Sequence, residues 1–156
     1  MDPARYEIRP LRRDELEGAG FDALVWRAAE VDAEARARIV RDELTTMTVW
    51  GAVERDGTIL AFAAFDAKPT LVHLEYIATS ERAEGRGIGR ALVQLLRTRT
   101  PGSTIHAETD DDAVGFYRRL GFTISPRAGR DPRWPDRQRY DCDLPAELDR
   151  TGGRPA

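Results

Sequence analysis

The sequence predicts a mixed α/β domain, and three observations support that fold class. Short runs with the alternation or β-forming composition of strands are separated by longer apolar runs at helical spacing. Taken in order, these runs give β-α-α-β-β-β-α-β-α-β-β. The chain has 156 residues, of which 41% are hydrophobic and 33% charged, an ordinary composition for a globular domain that can bury a core.

A strand and a helical region are predicted first. Residues 6–11 alternate between polar and apolar side chains, and Pro10, which has no N–H to donate, favours an edge strand. Residues 14–43 carry two successive apolar faces at helical spacing. We therefore expect two helical pieces with a hinge near Asp32.

A hairpin and a further strand follow. Residues 47–54 and 58–65 are rich in β-forming side chains, and Arg55-Asp56-Gly57 joins them. An Asp-Gly dipeptide between two such runs is a strong hairpin signal. Pro69 ends this ladder, and residues 71–79 are predicted to form the next strand.

The last part of the chain alternates helices and strands. Residues 110–112 supply acidic side chains suited to the start of a short helix, and Gly121 suits its end. The other predicted elements are a helix over 87–99, strands over 104–109 and 139–144, a strand beginning at 122–124, and a loop over 126–135. We expect one domain over 1–144 and a flexible tail over 145–156.

Charge and composition exclude several functional classes. The net charge of −3 gives no general attraction for nucleic acid or anionic membranes. No apolar run reaches the roughly 18 residues of a membrane-spanning helix and no signal peptide is recognisable, so we expect a cytoplasmic protein. Cys142 is the only cysteine, which rules out an internal disulfide. His106 and Glu108 share one strand, but the spacing of histidine and cysteine is not that of a metal site, and none is predicted.

Three glycines at alternate positions, Gly85, Gly87 and Gly89, separate the 71–79 strand from an amphipathic helix. The first N–H groups of a helix have no intrahelical partner, and the helix dipole favours negative charge there. Glycine also lets the backbone approach a phosphate closely. The spacing of these glycines is not that of a dinucleotide fingerprint, which would need a glycine at Arg90 or Leu92, and the P-loop lysine is absent. Both differences weaken the interpretation of the chain as a nucleotide-binding oxidoreductase module.

Two motifs carry a resemblance to a known family. Residues 84–89, EGRGIG, resemble the Q/R-x-x-G-x-G/A signature of the GCN5-related N-acetyltransferase (GNAT) superfamily. Residues 113–122, AVGFYRRLGF, are similar to its A-x-x-[LF]-Y-x-x-x-G-F segment, and the element order is also that of the family. The resemblance covers most of the chain. It implies a mixed, mostly antiparallel sheet of six to seven strands with about four helices on both faces.

The resemblance implies an enzyme that transfers an acetyl group from acetyl-CoA to a primary amine, directly, in a ternary complex. Backbone N–H groups over 85–90 would cradle the pyrophosphate, and 77–79 would pair with the pantetheine arm. The Ile77 N–H would hold the thioester carbonyl, where negative charge develops during attack. The implied acetyl-CoA contacts are Ile77, Ala78, Thr79, Glu84, Gly85, Arg86, Gly87, Ile88, Gly89, Arg90 and Tyr117.

The implied catalytic residues are His73, Glu75 and Tyr117. His73 and Glu75 alternate on one face of the 71–79 strand, where family members with a strand base carry it. The base would deprotonate the amine, either as an imidazole or, for Glu75, through a water. Tyr117 aligns with the family tyrosine that protonates the leaving thiolate. Each residue also has a purely structural alternative: His73 as a hydrogen-bonded strand residue, Glu75 as a member of an ion pair, and Tyr117 as a core residue. Many family members use no dedicated base, which keeps the first two alternatives open.

Two departures from the family pattern keep a non-catalytic acyl-CoA-binding or regulatory domain open. Glu84 replaces Gln or Arg, and a carboxylate beside a pyrophosphate is unfavourable unless it points away or pairs with Arg82 or Arg86. Asp110 replaces an asparagine that touches the cofactor in the family.

The expected acceptor is a small-molecule or peptide amine. Acidic side chains near the implied pocket, such as Glu75 and Glu108, favour a cationic acceptor. Trp134 and Trp26 are candidates to line the acceptor pocket. The expected assembly is a monomer or a homodimer, and the sequence does not choose between them.

Overall fold

A computed structural model describes residues 5–146 of the chain. Within that range it contains seven strands and four α-helices, in the order that the sequence predicts. They are β1 (Tyr6–Pro10), α1 (Ala19–Ala29), α2 (Ala33–Arg38), β2 (Thr48–Glu54), β3 (Ile59–Ala67), β4 (Leu71–Thr79), α3 (Ile88–Arg99), β5 (Thr104–Asp110), α4 (Val114–Arg119), β6 (Thr123–Pro126) and β7 (Arg139–Leu144). The predicted tail over 145–156 lies almost wholly outside the described residues.

The seven strands form one sheet in the order β1-β2-β3-β4-β5-β7-β6. The pairings β1–β2, β2–β3, β5–β7 and β6–β7 are antiparallel. The predicted edge position of the first strand is confirmed, and Pro10 lies opposite Trp50 of β2. The fold class predicted from the sequence, a mostly antiparallel open sheet with helices, is therefore confirmed.

The hairpin between β2 and β3 is confirmed and has a local cause. Gly57 adopts a φ of +90°, a conformation that suits glycine better than any L residue. The N–H of Glu54 donates to the Thr58 carbonyl at 2.9 Å, which closes the turn. The strand after Pro69 also begins where it was predicted.

The helical region over 14–43 is predicted correctly in outline and wrongly in detail. The hinge is confirmed: Glu30 has a φ of +51°, and the Asp32 carboxylate accepts the Ala35 N–H at 2.8 Å to cap α2. Residues Arg13–Glu17, however, form a 3-10 helix and not the start of α1. Gly18 is extended and separates this 3-10 helix from α1. A π-helical turn at Ile39–Glu43 also replaces the regular α-helix.

The chain divides into two compact units. Among the described residues, the first comprises 5–66 together with Leu74–Leu96, and the second comprises Ala67–His73 together with 97–146. The first unit is centred on side chains such as Phe21 and Phe62, whose ring centroids are 4.8 Å apart. The other large side chains of this unit that are fully buried include Leu24, Val25, Leu44, Leu60, Leu74 and Ile88.

The second unit has its own buried side chains. They include Ile105 and Ala107 on β5, Cys142 on β7, and Phe122 before β6. Full burial of a side chain as large as Ile105 or Phe122 contributes about 1.5–3 kcal/mol. Among residues 5–146, no helix is both long enough and apolar enough to cross a bilayer. The boundaries of the predicted domain over 1–144 stay a prediction.

Candidate functional site

The turn before α3 requires glycine because of its backbone conformation, and not because a side chain would lack space. Gly85 and Gly87 have φ values of +77° and +75°. A Cβ added at either position would meet no heavy atom within 4 Å. An L residue would therefore fit the space but strain the backbone. The segment over 84–87 is solvent-exposed, so a ligand can approach the backbone of the glycine turn. The Glu84 N–H already donates to the Glu81 carbonyl at 3.3 Å.

The helix that follows presents its first N–H groups without intrahelical partners. The Ala91 N–H donates to the Gly87 carbonyl at 3.0 Å, which is the first bond of α3. The N–H groups that precede this bond belong to Ile88, Gly89 and Arg90. Ile88 is 1% exposed and anchors the turn to the core of the first unit. The turn and helix start together supply the donors and the dipole that an anion requires.

Glu84 pairs with a residue that the sequence does not single out. Its carboxylate forms an ion pair with Arg27, at the last turn of α1. Arg27 Nε also donates to the Thr79 carbonyl, at the end of β4, at 2.7 Å. The guanidinium therefore joins the strand end to the loop and neutralises the carboxylate beside the turn.

The partners expected for Glu84 are engaged elsewhere. Arg82 Nη2 donates to Glu54 at 2.8 Å, and the Arg86 guanidinium lies 5.8 Å from the centre of the Tyr6 ring. Arg27 and Glu84 are 57 residues apart in the chain, so no local sequence pattern predicts their pairing.

Strand β4 places three candidate residues on one face. Val72, Leu74 and Tyr76 are buried, whereas the alternate residues are half-buried. Those half-buried residues are His73, Glu75 and Ile77. The prediction that they share a face is confirmed. Glu75 and Ile77–Thr79 belong to the first unit with the glycine turn, and His73 belongs to the second.

In the second unit, His73 lies beside His106 of β5. The ring centroids are 5.2 Å apart, with an edge-on interplanar angle of 61°. His106 also contacts carboxylates of β5 and β7. The sequence does not predict a role for His106, because the spacing of histidine and cysteine along the chain does not match a metal site. His73 and His106 lie close together because their strands, β4 and β5, are neighbours in the sheet.

Tyr117 is a buried residue of α4 in the second unit. It is 5% exposed, and its ring packs edge-on against Phe116 and Phe122 at 5.1 Å in each case. Burial raises the pKa of the Tyr117 hydroxyl, chiefly by desolvating the phenolate, so the group stays protonated at neutral pH. No hydrogen bond joins this hydroxyl to another residue between 5 and 146. A protonated phenol can donate but cannot serve as a base.

Asp110 acts as a turn residue at the end of β5. Its carboxylate accepts the N–H of Asp112 at 3.0 Å and that of Ala113 at 3.3 Å. It also accepts from Arg137 Nη1 at 2.7 Å. The start of α4 was predicted at residues 110–112, but its N-cap is Ala113, since β5 extends through Asp110 and α4 begins at Val114.

Three further residues singled out in the sequence have clear surroundings. The guanidinium groups of Arg133 and Arg139 both lie over the Trp134 ring, each 4.4 Å from its centroid. Trp26 on α1 is 51% exposed. Cys142 is fully buried, and desolvation raises the pKa of its thiol to about 11, which makes it a poor nucleophile at neutral pH.

Comparison with known proteins gives the family. The model of the acetyltransferase (GNAT) family matches residues 6–122, which contain the glycine turn and the Tyr117 motif. The chain belongs to the GNAT acetyltransferase family. Acyl transfer is the chemistry of that family.

A curated relative and two solved structures are similar to the chain. Peptidyl-lysine N-acetyltransferase YjaB of Salmonella typhimurium is 30% identical over 91 residues, 58% of this chain and 60% of the relative. The chain therefore spans about 60% of the length of this curated relative.

The solved structures support the fold. Ribosomal-protein-S18-alanine N-acetyltransferase from Escherichia coli has a TM-score of 0.70 at 18% identity, covering 96% of this chain and 99% of that one. Histone acetyltransferase HPA2 and related acetyltransferase from Corynebacterium glutamicum has a TM-score of 0.68 at 19% identity, covering 94% and 99%. At these identities the likeness shows the GNAT fold alone.

Proposed function

We propose that the chain is an acetyl-CoA-dependent N-acetyltransferase acting on a primary amine. The observation that carries this proposal is the exposed turn at Gly85 and Gly87, which follows β4 and leads into the first N–H groups of α3, the groups without intrahelical partners. In a member of the GNAT family this arrangement suits the pyrophosphate of coenzyme A. The donor contacts would come from Ile77–Thr79 and from Glu84–Arg90.

The chemistry would be a direct transfer. The neutral amine attacks the thioester carbonyl, and the Ile77 N–H donates to the oxygen on which charge develops. The C–S bond then breaks, coenzyme A leaves as a thiolate, and the amine proton goes to a base. The thiolate takes a proton from the Tyr117 hydroxyl, and the proton that the base took from the amine returns through solvent to the tyrosinate. The products are an acetamide and free coenzyme A.

The base is proposed to be His73 or Glu75. Both side chains lie on the half-buried face of β4, where they are accessible to a substrate or a bridging water. An amine in water near neutral pH is mostly protonated, so a group that accepts its proton accelerates attack. The face carries both candidates, and the chemistry does not favour one over the other.

The proposed acceptor is a cationic amine of a peptide or a small molecule. YjaB of Salmonella typhimurium is a peptidyl-lysine N-acetyltransferase by name, which makes lysine side chains the first class to test. Tight binding of anionic acceptors in preference to amines would contradict this part of the proposal. A cytoplasmic location, and action as a monomer or homodimer without a nucleic-acid or membrane partner, are likewise proposed.

The second candidate is a non-catalytic acyl-CoA-binding domain. Glu84 favours it, because a carboxylate stands beside the anion-binding turn even though Arg27 neutralises it. The Thr79 carbonyl, at the strand end proposed for the pantetheine arm, also already accepts a hydrogen bond from Arg27. A carbonyl has two lone pairs, so this bond does not exclude a further donor.

Substitution Tyr117→Phe separates the two candidates. For an enzyme we expect acetyl transfer to a panel of lysine peptides and polyamines to fall about 100-fold or more, with the Kd for acetyl-CoA within about twofold of wild type. Tyr140→Phe is the matched control, because it removes a hydroxyl that hydrogen-bonds Asp111, and it should leave the rate unchanged. Wild-type protein that binds acetyl-CoA yet acetylates no amine in the panel would favour the binding domain.

A further inference from the structure

We propose that His73, His106 and Glu108 form a binding site for a divalent transition metal of the zinc class. One ligand atom from each of the three side chains lies within 4.8 Å of the others. All three residues are half-buried, so water and ions reach them while the backbone holds them in place. The chain has two histidines, and both are members of this cluster.

Strand geometry explains why the cluster forms. On β5, Ile105, Ala107 and Thr109 are buried, so His106 and Glu108 point to the opposite, half-buried face. Strand β4, which carries His73, is the neighbour of β5 in the sheet order. Two adjacent strands therefore supply two imidazoles and one carboxylate to the same face.

Strand β7 supports His106 from the other side. Asp143 lies directly opposite His106 in the antiparallel register, and its carboxylate accepts a hydrogen bond from His106 Nδ1 at 2.8 Å. A carboxylate only accepts, so Nδ1 carries the proton. In the neutral ring Nε2 then presents a lone pair. Histidine ligands of metals are commonly oriented in this way by a carboxylate on the other ring nitrogen.

The lone pair of His106 points toward further oxygen donors. Nε2 lies 3.9 Å from Glu108 Oε1 and 3.6 Å from Asp141 Oδ1. Two histidines and a carboxylate are a donor set that zinc uses, with a fourth position left for water or another ligand. Bonds of about 2.0–2.2 Å place tetrahedral ligand atoms about 3.4 Å apart. Small side-chain rotations would close the present spacing to that value.

Arg127 occupies the acidic part of this site. Its Nη2 donates to Asp141 at 2.9 Å and forms an ion pair with Glu108. Two carboxylates, those of Glu108 and Asp141, thus contact one guanidinium, while the carboxylate of Asp143 contacts His106. The Arg127 side chain is 35% exposed and can rotate into solvent. We infer that Arg127 is an internal competitor of the metal.

The test is a titration of tag-free, full-length protein with ZnCl₂, followed by calorimetry and by NMR of the histidine ring nitrogens. We expect one equivalent of Zn²⁺ to bind and to shift the ring signals of both histidines together. The same titration with CoCl₂ should give the visible absorption of four-coordinate cobalt. Zinc that binds without changing both histidines, or that binds equally well to His106→Ala, would overturn the proposal.

Arg127 gives a test that loss of folding cannot imitate. Arg127→Ala should bind Zn²⁺ about tenfold more tightly, which corresponds to about 1.4 kcal/mol, because the competing cation is gone. Arg130→Ala removes the same charge from the same loop, where Arg130 donates to the Pro135 carbonyl, and should leave the affinity unchanged. Unchanged or weaker binding to Arg127→Ala would contradict the competitor role. Binding is measured without acetyl-CoA, so its failure and the failure of the proposed acyl transfer are distinguishable.

Discussion

At the scale of single residues, Arg27 is the partner of the carboxylate that lies beside the glycine turn. Family proteins usually carry Gln or Arg where this chain has Glu84. The ion pair with Arg27 offsets the negative charge, and the bond from Arg27 to the Thr79 carbonyl holds the guanidinium in place. Arg27 is thus a positioning residue, and its proposed effect on acetyl-CoA acts through Glu84.

Substitution Arg27→Ala should weaken binding of coenzyme A by about threefold to tenfold, or about 1 kcal/mol, because Glu84 is then unneutralised. Glu84→Gln in the Arg27→Ala background should restore most of the affinity, since no charge is left beside the turn. Isothermal titration calorimetry measures both effects.

Arg41→Ala is the matched control for this pair. It breaks an exposed ion pair with Asp42 in the same unit and should not change the affinity for coenzyme A. A full loss of affinity in both Arg27→Ala and the double variant would contradict the neutralising role, because it would place the effect in Arg27 itself.

At the scale of secondary-structure elements, β1 and the 3-10 helix after it are held together by Arg9 and Glu15. The two guanidinium nitrogens each donate to a Glu15 oxygen at 2.8 Å, and the Arg12 N–H adds a bond at 2.9 Å. The Glu15 side chain is 10% exposed. The hydrogen bonds from Arg9 are the main cause that lowers the pKa of Glu15 from 4.5 to about 2.

Substitution Glu15→Gln should lower the free energy of unfolding by about 1–3 kcal/mol at pH 7. Because the pKa is lower in the folded state, the stabilisation is fully present above pH 4.5 and is lost as the pH falls toward 2. The difference from wild type should shrink over that window in urea denaturation. Glu17→Gln, an exposed neighbour in the same turn, should change stability by less than about 0.5 kcal/mol at any pH. A difference that persists unchanged below pH 3 would contradict the assignment.

The elements also show where sequence is informative. The Asp56-Gly57 turn, the Pro10 edge strand and the hinge near Asp32 are encoded by neighbouring residues, and each was predicted. The Asp32 cap of α2 was not predicted. The 3-10 and π-helical turns were missed, because segments of five residues are too short for apolar periodicity to distinguish one number of residues per turn from another. The helix start predicted at residues 110–112 was also wrong: β5 includes Asp110, and α4 begins at Val114.

The candidate site was predicted less completely than the fold. The glycine turn is local and was identified from its three alternate glycines. The pairing of Arg27 with Glu84 and the cluster of His73 with His106 join residues far apart in the chain. Such contacts follow from strand order and helix placement, which a single sequence does not specify residue by residue.

At the scale of the whole molecule, the glycine turn and Glu75 belong to one compact unit, and Tyr117 and His73 belong to the other. Each unit has its own buried side chains. The family assignment rests on a match over residues 6–122, which takes in residues of both units. The central claim is that the turn at Gly85 and Gly87 binds the pyrophosphate of acetyl-CoA.

A thermal-shift comparison of acetyl-CoA, coenzyme A, NAD and ATP at matched concentrations tests that claim most directly. At a hundred times its Kd a ligand adds about 2.7 kcal/mol, or roughly 5–10 °C for a chain of this size. Acetyl-CoA and coenzyme A should stabilise the wild type, and NAD and ATP should not. Gly87→Ala should lose the shift, because φ at Gly87 is +75°, whereas Gly20→Ala, where φ is not positive and a Cβ has space, should keep it. No stabilisation of the wild type by acetyl-CoA, or an equal shift with Gly87→Ala, would contradict the claim.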